Sequence, residues 1–123
     1  MRRQVVLVLL LLSVSSCAPS ACSDEEDRRL ARWVEALVGE PGPRADAAEE
    51  ALVASGGEAI LYLETGLYDA EPRARRRVVK TLARIGDRAA LPILDHLARR
   101  DPDEAVRNAA GAARSALEGA SAP

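Results

Sequence analysis

The chain contains no phenylalanine, one tryptophan and two tyrosines among its 123 residues. A core built on large rings is excluded, and the 48% of hydrophobic residues must come mainly from Ala, Leu, Val and Ile. Small side chains of this kind let helices pack closely, and alanine and leucine favour helix formation. There is one histidine, His96, and there are two cysteines, Cys17 and Cys22. A zinc site needs three or four clustered ligands, which this inventory does not offer. No Gly-rich phosphate loop and no Ser/His/Asp arrangement is present. The adjacent acids Glu49 and Glu50 read as a solvated helix face, because neighbouring carboxylates alone do not make an acid/base pair. The chain is therefore expected to be a non-enzyme without cofactor or metal. Lysine is also scarce, with Lys80 set against sixteen arginines, a bias read as genome composition.

No stretch approaches the ~20 apolar residues that span a bilayer. Val5–Leu12 is a run of eight, behind the basic pair Arg2 and Arg3 and ahead of Val14-Ser15-Ser16-Cys17. Residues 1–16 read as a targeting segment outside the fold. The order aliphatic, small, small, Cys resembles a bacterial lipobox. That resemblance implies cleavage before Cys17 and acyl chains on Cys17. Several chains hold a protein at a membrane far more firmly than one, which gives only marginal binding. Ala18 after the cysteine implies sorting to the outer membrane, with the protein facing the periplasm of a bacterial envelope. The alternative is an ordinary signal peptide cut near Ala18, which Pro19 disfavours. Residues 17–23 read as a tether. Cys22 reads as a tether residue, with pairing between chains or a minor second lipid site as the alternatives.

Residues 69–107 organise what remains. Asp69-Ala-Glu-Pro-Arg-Ala-Arg75 opens a unit, and Asp101-Pro-Asp-Glu-Ala-Val-Arg107 opens the next, 32 residues later. Between them, Ala74, Val78, Thr81, Leu82 and Ile85 share one face of a helix that Gly86 ends. A second helix follows from about Arg88 to Arg99, with Ala90, Leu91, Leu94, Leu97 and Ala98 as its apolar residues and Pro92 in its tolerant first turn. A 30-residue shift finds an earlier copy, placing Leu52 under Leu82 and Gly56 under Gly86. Two helices in such a period point to a stacked helical-hairpin solenoid.

"DAEPRARRRVVKTLARIGDRAALPILDHL" and "DPDEAVRNAAGAARSAL" resemble HEAT repeats, and are most similar to the short bacterial, phycobilisome-lyase-type subgroup. The Asp…Arg turn, the L-x-x-I-G-D at the first helix end and the early Pro of the second helix carry the likeness. It implies an all-α, short right-handed solenoid of stacked antiparallel helix pairs. It also implies that Asp69, Arg75, Asp101 and Arg107 link turns of neighbouring repeats. The turn Gly39-Glu-Pro-Gly-Pro-Arg-Ala-Asp46 departs from the pattern: it lacks the Asp, and Arg44 is displaced. A different α-solenoid or a plain helical bundle is the lower-ranked alternative.

The repeat domain is expected over residues 24–118, with a disordered tail over 119–123. Ser23-Asp-Glu-Glu26 reads as a capping box for a helix running to Val38, a cap with Leu30, Trp33, Val34, Leu37 and Val38 on one face. Further helices are expected over 44–55, 58–68 and 102–117. Trp33 reads as core, with a binding aromatic as the alternative.

Residues 17–71 hold 4 basic and 13 acidic side chains and residues 72–123 hold 11 and 6, so the halves carry −9 and +5. Arg73, Arg76, Arg77, Lys80 and Arg84 form a basic stripe, which either binds an anionic partner or is neutralised by the preceding repeat, where Asp46 and Glu50 lie under Arg76 and Lys80. Nucleic acid is not expected, given the net acidity and the envelope location. Second helices usually line the concave face in HEAT-type solenoids, which nominates Tyr62, Tyr68, His96 and Arg99 for partner binding; a pH sensor or an exposed spacer are the other readings of His96. The expected function is a lipid-anchored adaptor or scaffold that binds another protein. The alternatives are an enzyme-associated subunit of the bilin lyase type and a head-to-tail structural oligomer through self-association.

Overall fold

The structure, a computed structural model, describes residues 19–120, with side chains from Cys22 onward. Residues 1–18, on which the expected targeting segment and the expected acylation of Cys17 fall, and residues 121–123 of the tail lie outside the described residues. The helices are α1 (Pro19–Val38), α2 (Pro43–Ser55), α3 (Ile60–Thr65), α4 (Pro72–Ile85), α5 (Leu91–Arg100) and α6 (Glu104–Gly119). Short 3₁₀ turns, Gly56–Ala59 and Arg88–Ala90, lead into α3 and α5. There is no strand among the described residues.

Proline and glycine set the boundaries. Pro43 and Pro72 stand in the first turns of α2 and α4, where a missing N–H costs nothing. Gly86 closes α4 with φ 72°, and its N–H bonds to the carbonyl of Leu82; only glycine takes this left-handed conformation freely. Asp103 caps α6, its carboxylate accepting from the Val106 N–H at 2.9 Å.

The helices stack by seam filling. α4 lies on both α2 and α3, and α6 lies on both α4 and α5. The first helix of each repeat thus closes the hairpin before it. α1 packs on α2, and reaches α3 and α4. One continuous core results, from Leu30, Val34 and Leu37 of α1 through Leu52, Leu63, Val78, Val79, Leu82, Leu94 and Leu97 to Val106, Ala110 and Leu117 of α6. The architecture is an all-α solenoid. Trp33 is half-buried against this core.

Several helix boundaries differ from the sequence expectation. α1 begins at Pro19, so residues 19–23 are helical rather than tether, and Ser23 lies inside the helix instead of capping it. Nothing from Pro19 to Ser23 breaks a helix, since proline is tolerated at the first position. α3 ends at Thr65 rather than Tyr68. The Gly66 N–H bonds to Tyr62, and Leu67 and Tyr68 then bond three residues back, to Glu64 and Thr65. A Cβ at Gly66 would lie 2.5 Å from Val34 Cγ1, so this turn presses on α1 as only glycine can. α6 starts at Glu104 and continues to Gly119, one residue into the expected tail.

Candidate docking groove

The second helices of the two hairpins, α3 and α5, do not close on each other as the first helices do. Between them runs an open groove of about 910 Å³. Ile60, Leu61, Leu67 and Tyr68 line one wall, and Pro92, Ile93, His96 and Arg100 line the other. Leu61 is 65% exposed and Tyr68 78%, the two large hydrophobic residues most open to solvent among those described. Apolar side chains held in the open this way cost solvation free energy until something covers them.

The groove ends at a clamp between turns. Arg75 Nε donates to Asp101 Oδ2 at 2.8 Å and Arg75 Nη2 to Asp101 Oδ1 at 3.0 Å. Arg75 Nη1 also donates to the Ala70 carbonyl. One guanidinium therefore ties the turn before α4 to the turn before α6. Burial pushes the Asp101 carboxyl up, but the hydrogen bonds from Arg75 and from the Asp103 N–H outweigh it, and its pKa falls below the ordinary value. The same carboxylate raises the pKa of Arg75.

The other two turn residues are placed differently. Arg107 donates to the carbonyls of Asp101 at 2.8 Å and Pro102 at 3.1 Å, within its own turn, and has no carboxylate partner among the described residues. Asp69 is exposed, sits at φ 57° and makes no ion pair among the described residues. Arg75 pairs with the residue 26 positions ahead. The position 26 before Asp69 is Pro43, and Arg44 is one residue off, which turns its side chain about 100° around the helix.

The basic stripe divides. Arg84 Nη1 lies 3.1 Å from Glu49 and 2.7 Å from Glu50, and Lys80 Nζ lies 3.5 Å from Glu49. The Arg84 bond and its positive charge pull the Glu50 pKa down. Arg73, Arg76 and Arg77 have no such partner among the described residues; Arg73 and Arg77 line a cleft that also holds Glu40, Asp69 and Glu71. That cleft is of mixed charge rather than a cationic site. The expected pairing of Arg76 with Asp46 does not form, because long helix side chains lean toward the N-terminus. Arg84 accordingly reaches back one turn to the acids of α2.

Two nominated binding residues lie elsewhere. Tyr62 is half-buried and donates to Asp27 Oδ1 at 2.6 Å, tying α3 to α1. That bond, with burial second, raises its pKa. Arg99 pairs with Asp95 at 3.2 Å, and the same carboxylate accepts from Arg114 of α6 at 2.6 Å. The sequence reading missed Leu61, Ile93 and Arg100, the neighbours that occupy the groove instead. The signal lay in Gly56-Gly57 and Gly86-Asp87: a 3₁₀ start, at three residues per turn, shifts the phase of the helix that follows.

Among the described residues, no three His, Cys, Asp or Glu side chains are grouped for a metal ion, and no helix is long and apolar enough to cross a membrane.

A family model for HEAT repeats matches residues 21–115. The chain belongs to the HEAT-repeat family. HEAT repeats generally mediate protein–protein interaction, which fits an adaptor or scaffold. No curated protein and no solved structure is significantly similar to the chain.

Proposed function

We propose that this protein is a lipid-anchored adaptor of the bacterial cell envelope that docks one protein partner between α3 and α5. The observation that carries the docking site is the open apolar groove, with Leu61 and Tyr68 exposed along it. Exposed apolar patches of this kind mark protein interaction sites. The anchor is read from the Val14–Cys17 sequence: acyl groups on Cys17 hold the chain at the outer membrane, and the solenoid presents its groove to the periplasm. In this reading the protein has no catalytic centre of its own.

The test is a crosslinked pull-down of the tagged protein from its own envelope. The wild type, Leu61→Ser with Tyr68→Ala, and Arg73→Glu with Arg76→Glu and Arg77→Glu are run side by side. Docking in the groove predicts a discrete partner lost only in the Leu61/Tyr68 variant. Loss only in the arginine variant would move the interface to α4 and refute the groove.

A second reading, head-to-tail self-association, is favoured by the −9 and +5 halves. It predicts sedimentation of the purified protein as a species larger than a monomer that dissociates with added salt, since screening weakens such contacts.

A further inference from the structure

We propose that the groove selects an amphipathic helix of about two turns bearing an acidic side chain, and that Arg100 is the residue that reads the acid. This rests on the docking role proposed above and names the chemistry of the partner.

The shape argues for a helix. Both walls are themselves helical stripes: Ile60, Leu61 and Glu64 follow one another along α3, and Ile93, His96 and Arg100 along α5. The walls stay apart where α2, α4 and α6 close up. From Ile93 to Arg100 the α5 wall runs seven steps of ~1.5 Å, about two helical turns, and a helix lying along it takes that length. Two apolar side chains three or four positions apart lie on one face of such a helix, the face it would turn toward Leu61 and Ile93.

The charge argues for an acid. Arginines near the groove are satisfied elsewhere: Arg75 is closed by Asp101, and Arg99 by Asp95. Arg100 lines the groove and has no carboxylate partner among the described residues. His96 stands one turn before it on the same wall, and the opposite wall offers a single acid, Glu64. A guanidinium against an apolar surface binds a carboxylate in a two-pronged, charge-assisted way that a neutral side chain cannot match. A basic helix would face Arg100 and His96 with only Glu64 free in its favour, because Asp101, the other acid of the lining, is held by Arg75.

The probe is a displayed library of 14-residue helical peptides with randomised faces, selected on the full-length chain in detergent. Enriched sequences should carry two apolar residues three or four apart and an Asp or Glu one turn away. Their Kd, measured by fluorescence anisotropy, should rise about tenfold or more with Arg100→Glu, less with Arg100→Lys, and beyond detection with Leu61→Glu. Circular dichroism melting of each variant should match the wild type, since both positions are exposed. Peptides that lose binding with Leu61→Glu but show no acidic bias, or bind Arg100→Glu as tightly, would overturn the acid selection and leave the groove standing. Peptides indifferent to Leu61→Glu would overturn the groove itself. Enrichment of extended or proline-rich sequences, or no enrichment above Leu61→Glu as the decoy, would overturn the proposed helix.

Discussion

Arg75 and Asp101 offer the sharpest test of how the repeats are joined. Their side chains are 14% and 2% exposed, so removing either strands a nearly buried charge. Breaking a buried ion pair costs ~3–5 kcal/mol, and the residual exposure of Arg75 places Arg75→Ala and Asp101→Ala near ~3 kcal/mol each. A domain of about 100 residues has ~5–15 kcal/mol in total, and each kcal/mol moves Tm by about 4–8 °C. Each single variant should therefore melt about 12–24 °C lower. With both partners gone no charge is stranded, so the double variant should cost little more than either single one. The coupling energy is then ~2 kcal/mol or more. Urea unfolding followed by far-ultraviolet circular dichroism and by Trp33 fluorescence measures all four corners. The pH adds a second check. Asp101 ionises below its ordinary value when folded, so its contribution is complete above about pH 4, near the unfolded carboxylate pKa. It is lost as the pH falls through the lower folded value. Coupling below ~0.5 kcal/mol, the range of a surface pair, or coupling that survives acid, would refute the clamp.

Asp69→Gly should be neutral or stabilising by up to ~1 kcal/mol, because φ is positive and no partner is lost; a ~3 kcal/mol loss in the same urea assay would mean that it pairs as Asp101 does. Gly66→Ala drives a methyl into Val34 and should cost ~1–3 kcal/mol as overpacking, with Val34→Ala recovering part of it; additive losses would contradict the close approach. Leu61→Ser and Tyr68→Ala should leave stability within about 0.5 kcal/mol while weakening partner binding tenfold or more by anisotropy or pull-down.

How much of this was legible follows from the period of each helix. The face Val78, Thr81 and Leu82 is buried as its spacing indicates, and so are Val106, Ala110, Ala113 and Leu117. Val79 was missed although only 2% exposed, because α4 is covered by α1, α2, α3 and α6 and so buries more than one stripe. The groove was half legible. Tyr68 and His96 stand in it, whereas Tyr62 and Arg99 point away, each one residue from a true lining position. A one-residue error is about 100° on a helix, and the 3₁₀ entries to α3 and α5 introduce that error silently. Lateral pairing was hidden for another reason. A repeat alignment matches equivalent positions, and a long arginine reaches a turn away from its equivalent.

The central claim is that the partner sits between α3 and α5. A photo-crosslinking amino acid placed at Leu61, and in a separate strain at Arg76 on the outer face of α4, tests it in the intact envelope. Docking in the groove predicts one discrete protein adduct at Leu61 that is absent at Arg76. An adduct at Arg76 with none at Leu61, or equal adducts at both, would contradict it.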